Sequence, residues 1–331
     1  METHKDIPIK SYEALSRHEP VVLDNSCIAE YKKCPKRYFF RVVLGYTEVD
    51  NPPYFSFGSA YHKFREVLDN SYNKLRINNI EPKEARIQAQ LEATNSGLEY
   101  WIKDTNNKNP EPGSKFDFLT KERLLKSFLK MSTWWENERK SGNIKVLHTE
   151  QPFNVVLPNG QPFGGRIDRL ESNNGRLWVR DYKTSSKEDM FYSRTIEPNA
   201  QFPGYAYASS QLHGKNVDGV LVEVLYNRPP LKTNRSKKTK DEQAAHEGPT
   251  PKVYTVSTSE YKLSKWLKDI IHWTNLIKQS RETDSYPMQD TNCSFCPYHM
   301  VCKKDTERQE MLILNTQFKK SHWDFMKGES E

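Results

Sequence analysis

The chain has 331 residues, 35% of them apolar, 12% aromatic and 28% charged, with a formal net charge of +7. That length suits one large or two modest domains, and no apolar run approaches the ~18 residues of a membrane span, so nothing in the sequence predicts a membrane protein. Mean hydropathy is −0.87 and the pI is near 8.9, values that fit an aromatic-rich core under a charged surface and are compatible with a phosphate backbone as partner without requiring one.

The first residues, Met1 to Asp6, lack the apolar stretch of a signal peptide, so the chain reads as cytoplasmic. Five cysteines in a reducing compartment are better read as metal ligands than as disulfides, with one left over.

Residues 1–25 read as an irregular leader with a short strand at Val21–Leu23. Ser26 is placed to cap a helix through Cys27–Phe40, and Phe57–Leu68 reads as a second helix. Glu81–Lys103 and Leu119–Lys140 carry helix formers with apolar residues at three- and four-residue spacing. Between them Asp104–Ser114 is polar, with two prolines and a glycine, and reads as a loop.

The period then changes to two. Val146–Leu157, Gln161–Glu171 and Leu177–Thr184 are three predicted strands, separated by Asn159-Gly160 and Asn174-Gly175, the strongest short-range hairpin signal. A helix is predicted from about Pro198 to His213, with a kink expected at Pro203. Strands at Gly219–Tyr226 and Lys252–Ser257 flank a loop, 227–251, which holds Arg228, Lys232, Arg235, Lys237, Lys238 and Lys240. Ser259–Gln279 is the last clear helix, before a cysteine run and a polar tail.

Three distant segments can form one site: Gly164-Gly165-Arg166-Ile167-Asp168, then Asp181-Tyr182-Lys183, then Gln201 and Tyr205. On a strand Asp181 and Lys183 share a face and Tyr182 takes the other. If the hairpin at Asn174-Gly175 sets Asp168 near Asp181, two carboxylates reach one hard cation, which prefers oxygen ligands. Such an ion neutralises a phosphodiester and acidifies water, while Lys183 orients or deprotonates that water. Taken singly, an Asp-x-Lys is also what a solvated surface pair looks like. At the chain ends, Cys293-Ser294-Phe295-Cys296 and Cys302 supply three thiolates, and a fourth must come from Cys34 or Cys27. Four thiolates suit tetrahedral Zn²⁺ or an iron–sulfur cluster.

These segments, together with Cys34-Pro35-Lys36-Arg37-Tyr38-Phe39 and Gly58-Ser59-Ala60-Tyr61-His62, resemble the RecB-like branch of the PD-(D/E)XK nucleases. The resemblance is closest to the iron–sulfur subset that includes CRISPR-associated nucleases and AddB-type nuclease domains. The motifs occur in family order over roughly residues 26–303, with Ile167-Asp168 in place of the family's Pro-Asp pair.

The resemblance implies an α/β fold: a restriction-endonuclease-like core with a mixed β-sheet, a helical insertion and a cysteine-bound cluster joining the N- and C-terminal segments. The expected division is an N-terminal segment 1–56, an insertion 57–145, a nuclease core 146–285 and a cluster-binding end 286–331. It implies Mg²⁺ or Mn²⁺ on Asp168 and Asp181, with His62 and, ranked lower, Glu150 as further ligands, and Lys183 as the water-activating group. Glu66 could hold the other nitrogen of His62. Cys34, Cys293, Cys296 and Cys302 would bind a [4Fe–4S] cluster, with structural Zn²⁺ as the alternative.

Gln201 and Tyr205 would meet the substrate, and Arg235, Lys237 and Lys238 would track phosphates. The expected activity is a DNA exonuclease acting on ends or single strands in recombination, repair or phage DNA processing, with a helicase, recombinase or single-strand-binding protein as possible company. The alternative is a non-catalytic iron–sulfur DNA-binding subunit of a larger complex.

Overall fold

The computed structural model describes residues 20–141, 143–187, 189–229 and 248–324. The chain divides into two compact units. One takes the described chain up to Asp50, then Asn154–Gly165, then the chain from Leu267; the other takes Asn51–Phe153 and Arg166–Trp266. No helix among the described residues is long and apolar enough to cross a membrane.

In the first unit, α1 (Asn25–Lys33) is capped by Asp24 rather than Ser26, and the side chain of Cys27 completes the capping box. The predicted single helix to Phe40 is broken at Cys34. Proline disfavours helical backbone in the residue before it, and Cys34 is extended (φ −172°, ψ 120°) ahead of a short turn, α2 (Pro35–Tyr38). A π-helical turn, Phe39–Val43, follows. The expected strand at Val21–Leu23 is a single bridge, Leu23 to Phe163. The polar tail is more ordered than its composition predicts: after α9 (His299–Cys302) and α10 (Glu307–Gln317), β7 (Phe318–Lys320) pairs antiparallel with β1 (Tyr46–Glu48).

The second unit is built on a five-stranded mixed sheet of order β2-β3-β4-β5-β6. The strands are β2 (Ile144–Val156), β3 (Pro162–Asn173), β4 (Arg176–Ser185), β5 (Gly219–Tyr226) and β6 (Thr250–Ser257), with the first residues of β3 and the last of β2 assigned to the other unit. Strands β3 and β4 are antiparallel, β4 and β5 parallel, β5 and β6 antiparallel. The β3–β4 turn follows from its residues: Asn174 (φ 50°) and Gly175 (φ 80°) are both left-handed, as a two-residue type I′ turn requires.

The parallel β4–β5 crossover carries α6 (Asp189–Ile196), a helix the periodicity did not reveal, and α7 (Gln201–His213). Pro203 lies in the first turn of α7, where the amide has no intrahelical acceptor to lose, so the expected interruption is absent. The last long helix, α8, runs Glu260–Thr283.

Three helices, α3 (Pro53–Ile77), α4 (Pro82–Thr105) and α5 (Lys121–Ser141), share one core with β4 and β5. Ala85, Ala89, Ala93 and Gly97 recur every fourth residue on the buried face of α4. A Cβ on Gly97 would stand 2.6 Å from the ring of Phe128, so only glycine admits that approach. Trp135 is fully buried in this core and donates to Asp69, in keeping with the packing role its helical spacing suggests.

Candidate active site

Asp168 sits on β3, and Asp181 and Lys183 on β4, at the point where the antiparallel pair opens beyond Arg169–Arg180. Asp181 is wholly buried and Asp168 is 7% exposed. The splay leaves the Tyr182 amide without a strand partner on that side, and the Asp168 carboxylate takes it: Tyr182 N donates to Asp168 Oδ2 at 2.7 Å. Lys183 Nζ reaches both Asp181 oxygens, at 2.9 and 2.8 Å.

Helix α3 brings His62 to the same place. Its Nε2 lies 2.8 Å from the Tyr182 carbonyl oxygen and its Nδ1 lies 3.5 Å from Asp168 Oδ2. A carbonyl oxygen can only accept, so Nε2 carries a proton and Nδ1 is the ring nitrogen that faces the acid. Glu66 pairs with Lys63 at 2.9 Å. Gly58, one turn before His62, is where α3 comes close to the β4 end, since a Cβ there would stand 3.4 Å from Thr184 Oγ1.

Glu150 completes the arrangement from β2. It adopts a left-handed backbone (φ 46°) in mid-strand, a conformation that costs of order 1–3 kcal/mol for a side chain without a local compensation. Its carboxylate meets Arg166 Nε at 3.1 Å. Among the described residues, His62, Glu150 and Asp168 each offer one atom such that all three lie within 4.8 Å of one another. Asp181 is outside that trio. Of the four candidate ligands expected from the resemblance, His62, Glu150 and Asp168 form this trio, while Asp181 engages Lys183.

The electrostatics follow from crowding acids in a dry place. Burial, then the Asp168 charge, push Glu150 up to about 8. Burial raises Asp168 to about 6 although Lys183 and the Tyr182 amide pull it down. Burial raises Asp181 to about 6 against the pull of Lys183. For Lys183 burial acts downward, but Asp181 and Asp168 outweigh it and hold the ammonium above the usual lysine range. A buried Asp168 and a partly buried Glu150 that repel each other beside a histidine are a donor set that a hard divalent cation satisfies.

Gln201 and Tyr205 are joined on α7, Gln201 Nε2 donating to the Tyr205 hydroxyl at 2.7 Å. Tyr205 is buried, and the charges of Asp168 and Asp181, after burial itself, raise its phenol. Tyr192 on α6, not singled out from the sequence, feels both Lys183 and Asp181. Arg235, Lys237 and Lys238 lie outside the described residues. The basic residues near Cys34 are largely engaged within the first unit: Lys33 and Arg37 pair with Glu30, and Lys32 lies over Trp273.

In that first unit Cys34, Cys293, Cys296 and Cys302 lie near enough to feel one another's charge. Gln289 N donates to Cys34 Sγ at 3.3 Å. Burial, then the neighbouring Cys34 and Cys293, raise Cys296 against the pull of Arg37; burial, Cys296 and Glu310 raise Cys302 to about 11. Cys27 is separate, its thiol occupied by the α1 cap.

A family model described as the PD-(D/E)XK nuclease superfamily matches residues 25–303. The protein belongs to that superfamily. Among solved structures it is similar to a candidate exonuclease from Eubacterium rectale, at 13% identity over 86% of this chain and 90% of that one, with a TM-score of 0.49. It is also similar to SSO0001, at 14% identity over 55% of this chain and 71% of that one, with a TM-score of 0.28. At these scores neither likeness bears on function. No curated protein matches the chain.

Proposed function

We propose that this protein is a Mg²⁺- or Mn²⁺-dependent DNA nuclease of the RecB-like, iron–sulfur branch, acting as an exonuclease on DNA ends or single strands. The observation that carries the reading is the meeting of His62, Glu150 and Asp168 within 4.8 Å, beside the pair of buried Asp181 and partly exposed Lys183 at 2.8 Å. Asp168, Glu150 and the Nδ1 of His62 are the residues that would hold the cation, with Asp181 at its margin. When bound, the cation supplies charge neutralisation at the phosphate and acidification of water.

The chain's own groups do the rest. The Tyr182 carbonyl keeps His62 in the Nε2–H tautomer. Asp181 holds Lys183 in place and protonated, so Lys183 acts as a hydrogen-bond donor to the incoming water or a phosphate oxygen and offsets the growing negative charge. Tyr205, braced by Gln201, offers its edge of the site to the substrate. The basic loop 227–251, with Arg235, Lys237 and Lys238, would add phosphate contacts that weaken with salt.

Cys34, Cys293, Cys296 and Cys302 would bind a [4Fe–4S] cluster that joins segments 1–56 and 286–331. Structural Zn²⁺ held by the same four thiolates is the alternative.

The test is a time course on 5′- and 3′-labelled single- and double-stranded DNA with Mn²⁺, Mg²⁺ or EDTA, for wild type and Asp168→Asn. Cation-dependent release of short products by wild type, lost in the variant, is expected. Equal behaviour of wild type and variant, or inert wild type carrying its cluster, would leave the non-catalytic DNA-binding subunit as the better reading.

A further inference from the structure

The face of the sheet opposite the acids is unusual for a buried surface. Arg65, Arg169 and Arg180 are at most 1% exposed, and Asp69, Glu171 and Glu223 are wholly buried with them. Arg169 pairs with Asp69 at 3.0 Å and Glu171 at 2.7 Å. Arg180 pairs with Glu171 and Glu223 at 3.0 Å each and with Glu138 at 2.6 Å. Arg65 reaches Glu223 at 3.1 Å, and Arg139 reaches Asp69 at 2.9 Å. Four guanidinium groups thus meet four carboxylates. Such sets seldom add stability over apolar packing, because desolvation offsets the Coulomb gain. They do impose one geometry.

What that geometry holds is Tyr182, the residue between Asp181 and Lys183. Its ring is 1% exposed and lies under the Arg65 guanidinium at 4.7 Å. Its hydroxyl accepts from Arg65 Nη2 at 3.5 Å and donates to Asp69 Oδ2 at 3.4 Å. Arg65 Nε and Nη1 have no hydrogen-bond acceptor among the described residues, so the guanidinium plane over the ring is a main contact of this buried cation. The same residue's peptide groups hold two of the three candidate ligands: its amide binds Asp168 and its carbonyl binds His62.

We propose that Tyr182 is the positioning residue of the site: its ring, clamped by Arg65 and the ion network, sets the peptide groups that orient Asp168 and fix the tautomer of His62. This rests on the cation-site reading above. Its side chain acts on the site through its own backbone and through the edge-on contact of its ring with the His62 ring, centroids 5.9 Å apart. Partners that orient ligands in this manner change metal affinity by roughly 10–100-fold when lost.

The test uses the full-length protein with three variants, Tyr182→Phe, Tyr182→Leu and Arg65→Lys, each checked for a cooperative melt. In the metal-free protein, imidazole ¹⁵N shifts report the His62 tautomer; with Mn²⁺, the spectrum of the free ion reports binding. Tyr182→Phe keeps the ring and should stay within about threefold of wild type in Mn²⁺ affinity. Tyr182→Leu should lose the single Nε2–H tautomer and weaken Mn²⁺ by roughly tenfold or more. If Tyr182→Leu does not fold, Arg65→Lys, which keeps the charge beside Glu223 but not the planar face, should show the same two changes in smaller measure.

Folded Tyr182→Leu or Arg65→Lys with wild-type tautomer and wild-type Mn²⁺ affinity overturns the proposal while leaving the nuclease reading intact. Wild type that binds no Mn²⁺ overturns the cation-site reading and with it this proposal, whatever the His62 tautomer.

Discussion

Lys183 Nζ stands 2.9 and 2.8 Å from the two oxygens of Asp181, two residues earlier on the same strand. The period of a strand puts both on one face, and burial makes the pairing strong. An ammonium so held is a donor and a positive charge, not a proton acceptor. Of the roles open to Lys183 from its type alone, orienting water, deprotonating it or stabilising developing charge, the pairing argues against deprotonation.

Replacing Lys183 by Ala removes that charge. Cleavage of labelled DNA in Mn²⁺ is expected to drop by about 10²–10³-fold, the usual cost of losing one transition-state donor. Substrate binding by the uncut complex should change far less. A variant that cuts at the wild-type rate would remove Lys183 from the chemistry.

The three raised acids give the metal-free protein a defined response to pH. Folded Asp168 and Asp181 titrate near 6 and Glu150 near 8, above the ~4 of unfolded carboxyls. In this window the folded state binds more protons, so stability falls as pH rises from about 4 to about 8. Asp69, held well below the usual range despite burial by Arg169, Arg65 and Arg139, stays ionised throughout and adds no slope there. In EDTA the melting temperature should be several degrees lower at pH 8 than at pH 5.5, about 2–4 °C per kcal/mol for a unit of this size. Mn²⁺ should restore it at pH 8 and do little at pH 5.5, where it must displace protons. Scanning fluorimetry at both pH values checks the sign.

Glu223 accepts from Tyr61 at 2.7 Å, Arg65 at 3.1 Å and Arg180 at 3.0 Å, all inside the sheet–helix layer. Glu223→Gln leaves two guanidinium groups short of one buried charge. Breaking a buried pair from one side costs about 3–5 kcal/mol, to be read from urea unfolding. A loss below 1 kcal/mol would mean water reaches this layer.

The cysteines separate into two kinds. Cys296→Ser should abolish bound iron and the broad visible absorption of a cluster, and loosen the first unit. Cys27→Ser should retain full iron, because its thiol closes the α1 cap with Asp24 instead. Elemental analysis of both variants decides; stoichiometric zinc in wild type would replace the cluster with a zinc site.

Much of the sheet could be read locally. Asn174-Gly175 supplies two left-handed residues at no steric cost, so the β3–β4 hairpin and the shared face of Asp181 and Lys183 follow from turn chemistry and a period of two. Cys34-Pro35 likewise contains its own helix break. The short helix α6 escaped because eight residues give too little periodicity to weigh.

The sequence by itself determined which residues are available: two acids and a lysine on adjoining strands, a histidine on a helix, and four thiols at the chain ends. Only the tertiary structure decided which of them meet. Glu150 joins His62 and Asp168 through a left-handed residue that no pattern announces, Asp181 turns to Lys183, and Tyr182 ties Asp168 by its N–H and His62 by its C=O, through two successive peptide groups. Strand and turn preferences act over a few residues, whereas these contacts span up to 120 positions and exist only once packing has closed the loops between them.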